Sequence, residues 1–300
     1  MAEIKNIAVI GGGLMGAGIA QIFALAGYNV KVSDPSEPVR ESLHDRTRKN
    51  LETLGDDVSC LSRIKCVANM ADAVSDADYV TEAAPEKLGL KQSIFADLVK
   101  LAPRHCILAS NTSVIPITNI AKGLDTADRI VGTHWWNPPF LIPLVEVVQA
   151  ANTSLETIDT TMTILSKIGK KPAHVKKDTP GFVANRMQHA LWREAIAMIA
   201  EGVCDAKTLD DCVKNSFGLR LPVLGPLENA DLVGLDLTLD IHKTMIPELD
   251  VHDQPHDFLK EHVEAGKLGF KSGEGFQKWT LDEIEATRTQ LLKYLTEART

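Results

Sequence analysis

From Ile7 to about Val175, short apolar runs rich in β-branched residues alternate with longer stretches whose apolar positions recur at helical spacing. That alternation predicts a parallel sheet wrapped by helices. Strands are expected at 7–10, 30–33, 65–68, 79–81, 106–109, 130–133, 144–148 and 173–175, with helices over 15–26, 38–54, 88–101 and 155–168. After Asp178-Thr179-Pro180-Gly181 the alternation stops, and Pro and Gly together mark a turn from which a long helix starts near Phe182. Further helical patterns cover 182–202, 206–215, 229–246, 255–265 and 281–298, broken by Gly218, Pro222, Gly225-Pro226 and a glycine-rich stretch over 266–275. The expected architecture is an α/β domain over 1–178 with a doubly wound, mostly parallel sheet, followed by an all-helical domain over 179–300. The apolar helical faces of the second half exceed what a domain of that size buries by itself, which points to a homodimer through the C-terminal helices.

Composition narrows the partners. The 300 residues suit two domains, each able to bury its own core. A formal charge of −8 with interspersed signs, and no run of Lys and Arg, excludes nucleic acid as the main partner. The start runs directly into a strand-like segment without a basic and apolar leader, and no apolar stretch is long enough to span a bilayer. A cytoplasmic protein with no membrane partner is expected. Cys60, Cys66, Cys106, Cys204 and Cys212 are dispersed without a Cys-x-x-Cys pair, which fits reduced thiols and neither a disulfide framework nor a metal site.

The first strand is followed by Gly11-Gly12-Gly13-Leu14-Met15-Gly16, which opens the first helix. In Gly-x-Gly-x-x-Gly, Gly11 permits a tight turn, Gly13 lets backbone approach a pyrophosphate, and Gly16 lets helix pack closely on strand. Asp34 ends the second strand at the expected distance and accepts from ribose hydroxyls; with Pro35 and Ser36 following, where NADP sites place Arg, the cofactor is NAD. These features predict a Rossmann-type domain. Farther on, Glu86 follows the fourth strand and Lys91 lies about one helical turn beyond it. Both can reach a nucleotide at the carboxyl edge of the sheet, and both equally suit a helix N-terminal glutamate with a solvated lysine.

The chemistry gathers at the same edge. Glu146 interrupts the apolar run Leu144-Val145-Glu146-Val147-Val148, and an unpaired carboxylate there costs several kcal/mol, so it needs a partner. His134 closes a neighbouring apolar run, and the pair suits a general base with an orienting acid; a structural ion pair or a glutamate capping a loop is the alternative. Ser110-Asn111-Thr112-Ser113 closes the fifth strand, and Asn185 lies early in the first helix of the second domain.

With these motifs in order, the chain resembles the L-3-hydroxyacyl-CoA dehydrogenase family over nearly its whole length. The resemblance rests on the glycine fingerprint, on Ser110 to Ser113, on His134-x-x-Asn137-Pro138 and on Leu144 to Val147. It continues in Asp178-Thr179-Pro180-Gly181-Phe182-x-x-Asn185-Arg186 and the late Gly269-x-Lys271-x-Gly273-x-Gly275-Phe276. It implies that His134 is the base, that Glu146 orients it, and that Ser113 and Asn185 hold the reacting oxygen. It also implies that Glu86, Lys91 and Asn111 join Gly11, Gly13, Leu14, Met15, Gly16 and Asp34 around NAD. On this reading Asn185 comes from the second domain, so that domain closure completes the site.

Departures from the family pattern bear on the substrate. Members that take acyl-CoA usually carry a lysine-rich tail on the helix after the second strand; here Glu52, Asp56 and Asp57 stand there, which repel a polyphosphate. Arg46, Arg48 and Lys49 lie upstream and could compensate. Trp135-Trp136 replaces the more usual phenylalanine pair, and Pro85 precedes Glu86. The combination of Pro85-Glu86 with Asn137-Pro138-Pro139 and Ile142-Pro143 resembles branches that oxidise small free substrates, such as carnitine, L-gulonate or pyridine-carboxylate dehydrogenases. The expectation leans to a small hydroxy compound without CoA. A genuine L-3-hydroxyacyl-CoA dehydrogenase and a non-catalytic, crystallin-like NAD-binding protein are the alternatives.

Overall fold

The computed structural model describes residues 4–298. Eight strands form one sheet: β1 (Asn6–Ile10), β2 (Asn29–Ser33), β3 (Ile64–Val67), β4 (Tyr79–Glu82), β5 (Ile107–Ser110), β6 (Ile130–Trp135), β7 (Leu144–Val148) and β8 (Lys171–Val175). Their order is β3-β2-β1-β4-β5-β6-β7-β8. β1 to β6 are mutually parallel, β7 runs antiparallel to β6, and β8 is parallel to β7. The order reverses between β1 and β4, the crevice where sheets of this kind bind dinucleotides.

Helices α1 (Leu14–Leu25), α2 (Glu37–Leu54), α3 (Met70–Val74), α4 (Leu88–Leu101), α5 (Ile117–Ile120) and α6 (Leu155–Lys167) connect the strands. The sheet is covered on both faces, which is why its inner strands read as continuous apolar runs. Alternate residues of one strand enter two different cores: Ile7 and Val9 pack with Phe23 and Val32, while Ala8 and Ile10 pack with Phe95 and Leu108. α1 is built of small and apolar residues, buried from Gly16 to Ala24, and ends where Gly27 turns at φ 92°.

The helices that follow are α7 (Ala184–Ala200), α8 (Ala206–Lys214), α9 (Pro226–Val233), α10 (Leu235–Met245), α11 (Asp257–Glu264) and α12 (Leu281–Glu297), with β-bridges from Glu274 to Gly269 and Lys278 between the last two. The single helix expected over 229–246 is two, because Gly234 adopts φ 101° between α9 and α10, a conformation no interior helical residue holds. The chain divides into two compact units, residues 1–185 with 293–300, and residues 186–292. In the second unit the buried apolar residues are Ala197, Ala206 and Ile284, while Leu227, Leu232, Leu235 and Leu239 are exposed. No helix among the described residues is long and apolar enough to cross a membrane.

Candidate active site

The glycine loop has the shape a pyrophosphate requires. Gly11 turns at φ 101° and its N–H donates to Ser33 O at 2.7 Å. At Gly16 a Cβ would lie 1.8 Å from Gly11 O, so any larger residue would force the loop off the helix. Beside Gly13 the space is open for 4 Å, and no side chain caps the N-terminus of α1. Leu14 is exposed and Met15 half-buried along this turn. Asp34 is half-buried; one carboxylate oxygen accepts from Gly12 N at 2.8 Å and the other from Ser36 N at 2.9 Å. α2 braces the loop, since Arg46 donates to Gly12 O at 2.8 Å and Arg40 to Asp34 O at 2.8 Å. An open helix N-terminus, a backbone cradle and an anchored acidic side chain at the end of β2 fit NAD.

Antiparallel pairing of β6 and β7 sets His134 directly opposite Glu146, on one face of the sheet. Their side chains meet at 2.8 Å, Nδ1 to Oε2, with both residues buried. The other carboxylate oxygen accepts from Val183 N at 2.9 Å and Ala184 N at 3.1 Å, the amides that lead into α7. Burial alone would raise the Glu146 pKa; the hydrogen bonds from His134, Ala184 and Val183 outweigh it and hold the carboxyl below its ordinary value. Because an ionised carboxylate only accepts, the hydrogen of a neutral imidazole here sits on Nδ1, which leaves Nε2 to accept a proton. Trp136 and Phe182 contact the ring, with centroids 5.4 and 5.6 Å away. Phe182 reaches that contact from φ 50°, in the left-handed region that a bulky residue rarely adopts, just after Gly181 at φ 73°.

Asn185 Nδ2 donates to Ser113 O at 3.0 Å, joining two of the expected residues through the serine backbone. Asn185 belongs to the first compact unit, so this bond lies within the unit that carries the sheet. Asn111 Oδ1 accepts from Trp135 N at 2.9 Å, tying the end of β5 to the residue after His134. Glu86 accepts from Thr112 Oγ1 and from the amides of Ser113 and Val114, both at 3.0 Å.

Lys91, expected at the cofactor edge, is held by the acidic side chains beside it. It is 0% exposed, paired with Glu82 at 2.7 Å, bonded to Ala84 O at 3.2 Å and 3.6 Å from Glu86. Glu82, 0% exposed at the end of β4, needs a cation, and Lys91 supplies it. Glu82 was not singled out from sequence, because it ends its strand and does not interrupt an apolar run as Glu146 does. Trp135 is a core residue, 2% exposed against Phe23, and only Trp136 faces the histidine. All five cysteines are free, and burial pushes the Cys106 thiol up to about 12, so it is no nucleophile.

The profile of the 3-hydroxyacyl-CoA dehydrogenase NAD-binding domain matches residues 6–179, and that of the 3-hydroxyacyl-CoA dehydrogenase C-terminal domain matches residues 181–279. The chain belongs to the 3-hydroxyacyl-CoA dehydrogenase family. Among relatives, 5-formyl-3-hydroxy-2-methylpyridine 4-carboxylate 5-dehydrogenase of Mesorhizobium japonicum is 35% identical, across 99% of this chain and 97% of its own length. The crystal structure of a 5-dehydrogenase of the same pyridine carboxylate, an NAD+-dependent dismutase, superimposes with a TM-score of 0.90 at 34% identity, covering 99% of this chain and 98% of that one. The (S)-3-hydroxybutyryl-CoA dehydrogenase of Ralstonia eutropha superimposes with a TM-score of 0.77 at 33% identity, covering 93% and 100%. As a member of this family the chain is an NAD-dependent dehydrogenase acting on a hydroxyl group, and its cofactor is NAD.

Proposed function

We propose that this family member oxidises a secondary alcohol beta to a carboxyl or acyl group in a small substrate that carries no coenzyme A, with His134 as the base. The observation that carries the chemistry is the buried His134–Glu146 pair, whose carboxylate is held at both oxygens. His134 Nε2 takes the hydroxyl proton as the alcohol is oxidised, and Glu146 fixes the tautomer and stabilises the imidazolium that forms. NAD, when bound, supplies the hydride acceptor. The family resemblance gives Ser113 and Asn185 the reacting oxygen, which they position as it becomes a carbonyl. Gly11, Gly13, Leu14, Met15, Gly16 and Asp34 frame the cofactor, with Glu86, Lys91 and Asn111 at the same edge.

Two features favour a substrate without CoA. Glu52 and Asp57 are exposed where a polyphosphate tail would need cations, and the upstream Arg46 is committed to Gly12 O and Val39 O. The similarity to the pyridine-carboxylate enzyme also spans the full chain. NADH formation, followed by absorbance over a panel of free 3-hydroxy acids, other small hydroxy carboxylates and L-3-hydroxybutyryl-CoA, separates the readings. Turnover of a free compound with none of the CoA ester is expected. Saturable oxidation of the CoA ester alone overturns the substrate reading and leaves a genuine L-3-hydroxyacyl-CoA dehydrogenase. No NADH with any compound identifies a non-catalytic NAD-binding protein. We also propose a homodimer formed through the exposed apolar helices of the 186–292 unit, whose leucines on α9 and α10 have no cover in one chain.

A further inference from the structure

The loop between β6 and β7, residues 136–143, leaves the sheet just after His134, and it is fastened by two residues that the reaction above does not use. Pro138 O accepts from Leu141 N and Ile142 N, both at 3.0 Å, which folds the loop into a tight turn. Lys170 Nζ donates to Pro139 O and, at 2.9 Å, to Ile142 O, and it stands 5.6 Å from the centre of the Trp135 ring. The end of α6 brings the lysine there. Gly169 turns at φ 81° and its N–H donates to Ser166 O at 3.1 Å, while Lys170 N donates to Leu165 O at 3.0 Å, a glycine-terminated helix end. The second fastening is α1: a Cβ on Gly18 would lie 2.5 Å from Pro139 Cγ and 3.3 Å from Phe140 Cδ1. Pro139 is buried, and Phe140 is half-buried against the core that holds Trp135.

Neither residue is the one its own element favours. Glycine inside a helix costs about 1 kcal/mol against alanine, and at Gly18 the close approach of a rigid proline ring accounts for it. Lys170 is half-buried, although an ammonium is strongly hydrated, and it holds two carbonyls of one turn. The turn so fixed begins with Trp136, whose ring lies against that of His134. The hydrogen bond from Nδ1 to Glu146 sets the tautomer but leaves the imidazole able to rotate about that bond, so its plane depends on the rings packed against it. We propose that Lys170 and Gly18 are positioning residues: the lysine holds the loop by its carbonyls, the glycine seats it on α1, and the loop in turn holds Trp136 against the base. This rests on the His134 reading above.

Lys170→Met keeps the aliphatic stem and removes the donors, Lys170→Arg keeps donors and charge, and Gly18→Ala presses a methyl on Pro139 while leaving the lysine in place. In Lys170→Met and Gly18→Ala the Leu141 and Ile142 amides should exchange with solvent about tenfold faster or more. The ring-proton resonance of His134, identified by its loss in His134→Gln, should shift in both, because Trp136 moves relative to it. NADH affinity, read by fluorescence titration, should stay within about threefold, while kcat on the compound found in the panel falls about tenfold or more with a smaller change in KM. Lys170→Arg should return resonance and kcat towards the wild type. An unmoved His134 resonance in both variants overturns the proposal, as does a moved resonance with unchanged kcat. Loss of NADH affinity by more than about tenfold with kcat intact also overturns it and makes the loop part of the cofactor site. Should Lys170→Met fail to fold by far-UV circular dichroism, Gly18→Ala decides by the same readings. Exchange and the imidazole spectrum need no turnover, so they test the fastening even if the reading of His134 as base fails. That reading has its own test in the turnover of His134→Gln.

Discussion

At the scale of residues, the carboxylate inside β7 has two occupations. One oxygen orients His134 and the other caps the N-terminus of α7, where the helix dipole favours negative charge. Orienting acid and structural cap stood as alternatives in the sequence, and the geometry lets one side chain serve both. Its depressed pKa has a consequence with a definite sign. A carboxyl held below its unfolded value, about 4.3, contributes stability that is fully present above that pH and is lost as pH falls through the lower folded value. Glu86 is lowered too: burial raises it, but Thr112, Val114, Lys91 and Ser113 outweigh that, so it adds to the same acid limb. Glu146→Gln should lower stability at pH 7 by about 1–3 kcal/mol and make the decline of Tm between neutral pH and pH 3 shallower than in the wild type. Thermal unfolding across pH measures both. An unaltered slope would mean that the carboxylate is not held as the structure has it.

At the scale of elements, the glycine loop and the first helix form one fitted piece. Gly16→Ala would drive its methyl into Gly11 O, with no flexible side chain to give way. The loop must move, and NADH affinity should fall by about tenfold or more while the sheet remains folded; fluorescence titration beside far-UV circular dichroism reads both. Long elements were legible because their apolar periodicity runs for several turns: the helix expected over 88–101 is α4, residue for residue. α3 and α5 were not, since five and four residues are too short to show a period. The antiparallel sense of β7 was also hidden. Its apolar run reads the same in either direction, and only the pairing of His134 with Glu146 reveals it. In the site, the glycines, Asp34, His134 and Glu146 announced themselves by residue type and place. The Glu82–Lys91 pair did not, because a lysine nine residues beyond the end of its strand reads as solvated until the fold buries it.

At the scale of the whole molecule, the two compact units differ in how well each is closed. The sheet unit has a continuous core on both faces, whereas the unit over 186–292 leaves Leu227 80% and Leu281 84% exposed and buries almost no large side chain. In the proposed homodimer a second copy covers this apolar surface. Light scattering behind size exclusion should give twice the 32.7 kDa of one chain at micromolar concentration, and a monodisperse monomer would refute the dimer. On the proposed reading turnover depends on one imidazole, and His134→Gln isolates it, because the substitution leaves the glycine loop and Asp34 untouched. With NADH binding monitored in parallel, turnover of the panel substrate should drop by about 10²–10⁴-fold at unchanged NADH affinity. Turnover near that of the wild type would contradict His134 as the base.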